Sequence, residues 1–448
     1  MTAVLNEPST GSTHRTGSLA AELAQVAAGV FGGALPVRLR AWDGSEAGPV
    51  DAPTLVLRSP RALRRLLWHP GELGLAQAYV TGEIDVDGDL AEGLRRVWAA
   101  ARERKLDRSA GPGHASAPIS ARSLARLAPQ AVRAAARAGA FGPPLPPPYS
   151  QARLRGRLHS GRRDRAAIAH HYDLSNEFYA LVLDPQMAYS SAYWTSGAPD
   201  YTLEQAQTDK LDLVCRKLSL RPGQRFLDVG CGWGSLSIHA ARHYGVQVTG
   251  ITLSEQQASF VRARVIELGL QNQVQIRLQD YRELDGTGFD AVASLEMGEH
   301  VGEQNYPVYA AVLQRMVVPG GRVLVQQMSR GSIAPGGGAF IEAYIAPDMH
   351  MRPVGETVAF LERAGLEVRD VHGLREHYVR TVQAWYDTFE QRWPEAVALV
   401  GEEVARVWRL YLIGGGLAFE EGRMGVDQIL AVRPRAGGGS GMPALRVL

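Results

Sequence analysis

Between residues 166 and 435, short apolar runs alternate with segments in which hydrophobic residues recur at helical spacing. The apolar runs predict strands at Arg225–Val229, Gln247–Thr252, Val274–Leu278, Asp290–Leu295 and Arg322–Gln327. The segments between them predict helices at Ser235–His243, Ser254–Leu268 and Tyr306–Met316. This alternation predicts an α/β domain of the Rossmann-like class, with a doubly wound, mostly parallel sheet that binds its ligand at the carboxyl ends of the strands.

The pattern differs on either side of this alternation. A helical stretch, Val379–Gly416, and a strand-like run, Gln428–Val432, complete the domain, and residues 436–448 are expected to form a flexible tail. Residues 18–101 mix both kinds of run, which predicts a small α+β domain without a catalytic constellation. Its predicted strands and helices are Val37–Trp42, Thr54–Leu57, Pro60–Trp68, Glu72–Thr81 and Leu90–Ala101.

Residues 102–165 are predicted to form a basic, proline-rich linker, and residues 1–17 a disordered N-terminus. The run 142–148 is typical of a stiff, extended spacer. Residues 101–165 hold fourteen Arg or Lys against three acids, so a chain of net charge +2 carries about −9 elsewhere. One stripe of this segment consists of Arg122, Arg126, Arg133 and Arg137.

Two interpretations of this basic stripe remain open. It is either a solvated helix that joins two domains or a cationic helix that meets the anionic headgroups of a membrane. Nucleic acid is not expected as a partner, because the segment lacks interleaved aromatic residues and no nucleic-acid-binding motif accompanies it.

The totals exclude several classes of protein. The 448 residues suffice for two or three domains, and their composition is that of a soluble globular protein. No apolar run approaches the roughly 18 residues that cross a membrane, and Met1–Arg15 lacks the apolar core of a signal peptide. Two cysteines, Cys215 and Cys231, can build neither a disulfide framework nor a tetrahedral zinc site. A cytoplasmic location and no bound metal are expected.

A glycine-rich turn, Asp228–Gly234, joins the first predicted strand to the first predicted helix. Its pattern is Asp-x-Gly-x-Gly-x-Gly, through Gly230, Gly232 and Gly234, and not the Gly-x-Gly-x-x-Gly of a dinucleotide site. Such a turn brings bare backbone N–H groups close to a ligand. The pattern favours S-adenosylmethionine (SAM), which has no pyrophosphate to cradle, over NAD.

The ends of the next two predicted strands supply further candidate contacts. No acid follows the second strand, where a ribose would lie, so Thr252 and Gln257 are candidates to bind its hydroxyls. The third strand is followed by Asp280 and Tyr281, which could bind the amino group of adenine and stack on its ring. Three such elements in chain order predict a SAM site.

Together with these elements, the chain resembles the cyclopropane-fatty-acid synthase family of SAM-dependent methyltransferases from about residue 170 to residue 432. The matching segments are His170–Tyr179, Tyr189–Trp194, Gly230–Gly234, Thr252–Gln257, Glu299–Gly302, Phe340–Ile345 and His377–Thr381. The resemblance adds to the expected cofactor contacts Tyr172, Tyr189, Ser190, Leu253 and Leu295. It also implies a dimer, and an N-terminal domain that helps to engage the membrane and the lipid.

The resemblance implies methyl transfer to the double bond of an unsaturated acyl chain, usually within a membrane phospholipid, by a peripheral enzyme at the inner face of the membrane. A carbocation forms and a base removes a proton, and in cyclopropane synthases that base is a bound bicarbonate. Carried over to this chain, its holders are Glu299 and Tyr378. Ser191, Gln326 and Met328 stand where the family has a Cys, a His and an Ile.

These departures, with Gly298 in place of a bulky residue, lie where the product is decided. The position of the base determines whether the cation closes to a cyclopropane, loses a methyl proton after a hydride shift, or is quenched by hydroxide. Gln keeps the hydrogen bonds of His but does not titrate. We therefore predict a 10-methylene branch on an oleoyl phospholipid, as in the actinobacterial branch leading to tuberculostearic acid. A separate flavin-dependent reductase would act on this product.

Other interpretations remain open. The product could be a cyclopropane, or the protein could be a small-molecule methyltransferase or a SAM- or lipid-binding protein without activity; intact Glu299 and Tyr378 argue against the last. Glu296 could be a partner carboxylate of Glu299, and His300 could equally be a packed structural residue. Adjacent His170 and His171 point apart on a helix, which disfavours a metal site there.

Overall fold

The structure, a computed structural model, describes residues 17–31, 33–108, 129, 132–152, 163, 174–331 and 337–444. Its contacts divide the chain into two compact units, residues 1–147 and residues 148–448. Of the predicted residues, Tyr172, Arg122 and Arg126 lie outside the described ranges. Within those ranges no helix combines the length and apolarity needed to cross a membrane.

The first unit contains a small sheet with strands in the order β2-β1-β3-β4. In this sheet β1 and β3 are parallel, whereas β1 with β2 and β3 with β4 form antiparallel pairs. Its elements are α1 Leu19–Phe31, β1 Arg38–Arg40, β2 Glu46–Ala47, β3 Thr54–Leu57, α2 Pro60–Trp68, α3 Glu72–Val80, β4 Ile84–Asp87 and α4 Leu90–Arg108. The predicted mixture of strands and helices is confirmed, and only β2, β4 and α1 were not anticipated.

Part of the predicted linker folds within this unit. Residues 132–137 are helical, and the buried alanines Ala135, Ala138 and Ala140 pack against side chains of the same unit, among them Trp42. Alanine side chains allow this close approach because they occupy little volume.

A buried ion pair crosses the first unit from α2 to the segment before β4. Arg65 Nε lies 2.7 Å from Glu83 Oε2, and the two side chains are 3% and 8% exposed. Arg65 Nη1 also donates to the carbonyl of Pro146 at 3.1 Å. A charge removed from water in this way depends on its partner, since a buried carboxylate left alone has no solvent to stabilise it.

The second unit is built on a seven-stranded sheet in the order β10-β11-β9-β8-β5-β6-β7. Its strands are β5 Arg225–Val229, β6 Gln247–Thr252, β7 Val274–Leu278, β8 Phe289–Leu295, β9 Val317–Arg330, β10 Glu367–Gly373 and β11 Met424–Val432. The five strands from β5 to β9 pair in parallel, and β11 pairs antiparallel with β9 and β10. The predicted mostly parallel Rossmann-like sheet is confirmed.

Helices flank this sheet and extend the domain at its C-terminal end. They are α5 Asn176–Val182, α6 Leu203–Leu218, α7 Ser235–Tyr244, α8 Glu255–Glu267, α9 Tyr306–Met316, α10 Ala339–Tyr344, α11 Val354–Arg363, α12 Arg375–Gln391, α13 Trp393–Val400 and α14 Glu402–Glu420. The helical stretch predicted from Val379 is divided into three. Pro394 lies in the first turn of α13, where proline favours the start of a helix. Gly401, at φ +80°, separates α13 from α14.

An aromatic cluster joins the added helices to the turn after β5. Tyr179 of α5, Trp385 of α12 and Trp408 of α14 pack in one buried core with Trp233. Trp233 Nε1 donates to Asn176 Oδ1 at 2.9 Å. These contacts hold the glycine-rich turn against the helical part of the unit.

A buried and an exposed ion pair of the first unit predict unequal costs of substitution. Replacing Arg65 by Met should lower the stability of that unit by up to about 3–5 kcal/mol, because it leaves the buried Glu83 carboxylate only the largely exposed Arg61, at 3.0 Å, as a charged partner. Replacing Arg58, which is 59% exposed beside Asp85, should change it by less than about 1 kcal/mol. Hydrogen exchange of the α2 and α3 amides in the full chain measures both effects, and equal protection in the two variants would contradict the assignment.

Candidate functional site

The glycine-rich turn lies at the carboxyl end of β5 and is tied to the neighbouring strand. Gly230, Gly232 and Gly234 have φ values of +80°, +54° and +78°. The N–H groups of Gly230 and Cys231 donate to the carbonyl of Ile251, the residue before the end of β6. Asp228 Oδ2 accepts a hydrogen bond from Ser237 Oγ of α7 at 2.7 Å. The turn therefore has a defined shape, which only residues without a Cβ adopt readily.

Two of these glycines serve different purposes. A Cβ atom on Gly234 would lie 2.5 Å from Cγ1 of Val261, so this glycine lets α7 pack closely on α8. A Cβ atom on Gly232 would meet nothing within 4 Å, since this residue faces a cavity. The turn thus combines tight packing behind it with open backbone in front.

The cavity lies along the carboxyl ends of β5, β6, β7 and β8, as the parallel sheet predicts. Most of the predicted cofactor residues line it: Tyr189, Ser190, Asp228, Gly230, Gly232, Thr252, Leu253, Gln257, Tyr281 and Leu295. Gly234 lies behind it at the start of α7. Thr252 Oγ1 donates to Gln257 Oε1 at 2.8 Å, so the two groups proposed for a ribose are adjacent. The uncovered backbone at Gly232, the paired hydroxyl and amide groups and an aromatic wall fit SAM.

Asp280 lies at the predicted strand end and has a charged partner within the protein. It lies at the end of the third parallel strand, but both of its oxygens are bound by the Arg282 guanidinium, at 2.9 and 2.6 Å. Its side chain does not line the cavity, whereas the neighbouring Gln279 and Tyr281 do. A residue two positions along the chain therefore competes for this carboxylate.

About half of the residues that line the cavity are not among the predicted cofactor contacts. The additional residues are Met187, Cys231, Trp233, Ser235, Leu236, Ile251, Gln279, Glu296, Met297 and His300. Most of them adjoin a predicted residue along the chain, so widening each motif by two positions would have found them. Glu296, Met297 and His300 instead follow β8, a strand end for which only the family resemblance supplied candidates.

A buried lysine lies beneath the cavity. Lys210 of α6 has no exposed surface, and its Nζ donates to Ser190 Oγ at 2.8 Å. Burial lowers the pKa of this amine to about 8, while the charges of Asp184, Glu296 and Asp228 act in the opposite direction. Burial also raises the pKa of Asp228 to about 6. A cation thus lies among acids at a place that water does not reach.

Two carboxyl groups, Glu296 and Glu299, meet after β8. Glu299 is fully buried, and its Oε1 accepts the backbone N–H of Met328. Glu296 Oε1 accepts from Gln326 Nε2 at 2.8 Å. The Oε2 atom of each is shielded from solvent, and the two side chains are hydrogen-bond partners of one another. Burial, and then the charge of Glu296, raises the pKa of Glu299 well above its usual range.

Some of the residues predicted to hold a bicarbonate contact the pair formed by Glu296 and Glu299. Gln326 and Met328 bind the two carboxyl groups from β9. Ser191 is buried, and its hydroxyl donates to the carbonyl of Ala192 at 3.1 Å. Tyr378 is buried in the aromatic cluster, with its ring 4.5 Å from that of Phe419 and 5.9 Å from that of Trp385.

The absence of a side chain at Gly298 has a steric cause. A Cβ atom there would lie 1.9 Å from Oε1 of Gln327. Gln327 is fixed in turn, because its Oε1 accepts from the Tyr306 hydroxyl at 2.6 Å and its Nε2 donates to Thr357 at 3.0 Å. The space of a bulky residue at position 298 is therefore filled by an amide.

Comparison with known proteins places this geometry in context. A family model described as mycolic acid cyclopropane synthetase matches residues 159–429. A probable fatty acid methyltransferase of Pseudomonas putida is 37% identical over 420 residues, which cover 92% of this chain and 95% of that protein. A tuberculostearic acid methyltransferase of Mycobacterium tuberculosis is 33% identical over 414 residues, with 89% and 88% covered.

A solved structure shares both the fold and the sequence pattern. It is mycolic acid cyclopropane synthase CmaA1 in complex with SAH and CTAB, with a TM-score of 0.56 and 31% identity. The similarity covers 60% of this chain and 97% of that one.

The contact behind the glycine turn predicts the effect of one added methyl group. Gly234→Ala should lower stability by about 1–3 kcal/mol and weaken S-adenosylhomocysteine binding, since the new Cβ displaces α7 from Val261. Gly415→Ala, in α14 where a Cβ meets nothing within 4 Å, is the matched control and should preserve both. Thermal unfolding and calorimetric titration measure the two quantities; unchanged binding in Gly234→Ala would contradict this account of the turn.

Proposed function

The chain belongs to the mycolic acid cyclopropane synthetase family, and from this premise we propose that it methylates the double bond of an unsaturated acyl chain in a membrane phospholipid. The observation that carries the proposal is the position of the carboxyl pair beside the cavity that fits SAM. Glu296 lines this cavity, and Glu299 is buried next to it. When bound, SAM supplies an electrophilic methyl group to the alkene. The fold and the family are those of SAM-dependent methyltransferases.

The described residues divide the work of such a reaction. Backbone groups of the glycine turn, with Thr252 and Gln257, orient the cofactor. Tyr189 and Trp233 contribute aromatic walls, whose ring faces favour a nearby positive charge. The carboxyl pair supplies negative charge and a proton acceptor where the acyl chain becomes cationic.

We favour a methylene branch over a cyclopropane as the product, with an oleoyl chain as the substrate. The side chain that replaces the titratable His of the family, Gln326, is held between two partners, Glu296 and Gln428, and so serves as a fixed donor. The similarity to a tuberculostearic acid methyltransferase supports the same choice. A flavin-dependent reductase would then convert the methylene branch to a methyl branch.

Access to a membrane substrate calls for peripheral association with the lipid surface. In the first unit, Arg133 and Arg137 are exposed, and near them along the chain lies Phe141, 53% exposed. Trp68, 51% exposed, donates its Nε1 hydrogen to the carbonyl of Gly142 at 3.0 Å, which brings the two apolar rings to one side of this unit. Basic and aromatic side chains together are typical of surfaces that bind anionic bilayers.

The product is tested by lipid analysis of a host that expresses this chain and is supplied with oleate. We expect an acyl chain with one additional carbon, which forms an exocyclic methylene group at C10. Mass spectrometry of derivatised fatty acids identifies this product. Co-expression of a flavin-dependent reductase should convert it to the 10-methyl chain. A cyclopropane without any methylene-branched chain would contradict the proposed product but leave the proposed reaction class intact.

Neutralising the basic stripe should weaken membrane binding without affecting the cofactor. A variant with Gln at Arg122, Arg126, Arg133 and Arg137 should sediment less with anionic vesicles, most clearly at low salt, where charges are least screened. Replacing the same residues by Lys keeps the charge and should preserve binding. If the Gln variant methylates vesicle lipid as fast as the unmodified chain, the stripe has no part in reaching the substrate.

A further inference from the structure

Glu296 presents its carboxylate from an unusual backbone position. Its φ of +51° lies in the left-handed region, which a residue with a Cβ adopts at some cost. Its N–H nevertheless donates to the Gln326 carbonyl at 2.7 Å, so this conformation continues the pairing of β8 with β9. The carboxylate therefore reaches the cavity at the carboxyl end of a central strand, where residues that perform chemistry collect in this fold.

The hydrogen bonds around Glu296 favour its ionised form. Gln428 Nε2 donates to Gln326 Oε1 at 2.9 Å, so Gln326 must turn its NH₂ group toward Glu296. An NH₂ donor stabilises a carboxylate more than a carboxylic acid. Burial is the largest influence and raises the pKa of Glu296, whereas the Gln326 hydrogen bond and the charge of Lys210 lower it. Hydrogen bonds from the Glu299 side chain and from the Ser191 backbone also favour the ionised form of Glu296.

Glu299 complements this arrangement by retaining a proton. Two carboxyl groups in contact cannot both be ionised in a site without water. Glu299 receives one backbone N–H, whereas Glu296 has the amide donor and the nearby ammonium group. The ionised member of the pair is therefore the one that lines the cofactor cavity.

This pair also changes what else the site can hold. The resemblance implied a bicarbonate gripped by Ser191, Gln326 and Met328 together with Glu299 and Tyr378. Here the Gln326 amide is engaged on both sides, and the Ser191 hydroxyl donates to a neighbouring carbonyl. An added anion would lose these donors and would be repelled by the Glu296 carboxylate.

We propose that Glu296 is the general base of the reaction and that bicarbonate is dispensable in this protein. The inference rests on the proposed function. Once the acyl chain carries the added methyl group and, after a hydride shift, a positive charge on the branched carbon, a C–H bond of that methyl group breaks. Its electron pair forms the exocyclic double bond, and the proton forms an O–H bond with the Glu296 carboxylate. The cation and the carboxylate become a neutral alkene and a neutral acid, which returns its proton to solvent before the next turnover.

The test uses the purified full chain with vesicles of dioleoyl phosphatidylglycerol, in buffer freed of carbon dioxide and in buffer with added bicarbonate. The unmodified protein should methylate lipid at the same rate in both. Glu296→Gln should be slower by a factor of about 100 or more, the range for loss of a general base, while its affinity for S-adenosylhomocysteine changes by less than about threefold. Glu267→Gln, on the exposed end of α8, is the matched control and should behave like the unmodified protein.

A second variant tests the same proposal without relying on the amide. Glu296→Gly suits the left-handed backbone and leaves room for a small anion. Added formate or bicarbonate should restore at least a tenth of the lost rate to this variant, while the same anions leave the unmodified protein unaffected. Thermal unfolding of both variants shows whether they are folded.

Each contrary outcome has a distinct meaning. A rate that falls in the unmodified protein when bicarbonate is removed would overturn the proposal and restore bicarbonate as the base. A tenfold loss of S-adenosylhomocysteine affinity in Glu296→Gln would make Glu296 a cofactor ligand. Full activity of that variant would also overturn the proposal. If the unmodified protein methylates no acyl chain under either condition, the proposed function fails first, and this inference fails with it.

Discussion

Two carboxyl groups in contact with one another in a buried site must share one negative charge between them, and the region after β8 is organised around that constraint. Lys210 and the Gln428–Gln326 amide chain favour the charge on Glu296, while the Met328 backbone binds its neighbour Glu299. Even the missing side chain at Gly298 belongs to this arrangement, since Gln327 of the same strand fills its space. Removing the amide of Gln326 or the charge of Lys210 is therefore expected to weaken the preference for the ionised form of Glu296.

The fold brings this charge to the cofactor by simple means. Parallel strands end at one edge of the sheet, so the turn after β5 and the carboxyl pair after β8, on neighbouring strands, border the same cavity. The aromatic cluster around Trp233 then holds the turn against the added helices. Cofactor binding follows from the fold that many methyltransferases share, whereas the choice of substrate and product depends on a few side chains at the end of β8 and along β9.

The sequence predicted the parts of the molecule that depend on local pattern. The bounds of β5, β6 and β7 were predicted to the residue. β5 is buried over most of its length, whereas β7 at the sheet edge alternates between buried and exposed side chains. β10 was missed, since it lies at the sheet edge and has few buried side chains. The glycine turn and most of its neighbours were found through their spacing. Asp280 was assigned to the cofactor, but its carboxylate is bound by Arg282, a local competition that strand-end position does not reveal. Lys210 drew no attention, because only tertiary packing distinguishes a buried lysine on a helix from an exposed one.

The central claim is that methyl transfer ends on an acyl carbon and that a base then removes a proton from the transferred group. It is tested most directly with SAM that carries a fully deuterated methyl group, incubated with the purified chain and dioleoyl phospholipid vesicles. The account predicts label in the acyl chain alone, as a methylene group that retains two of the three deuterium atoms, the third having been lost to the base. Label in the headgroup, or an acyl chain that retains all three deuterium atoms, would contradict it.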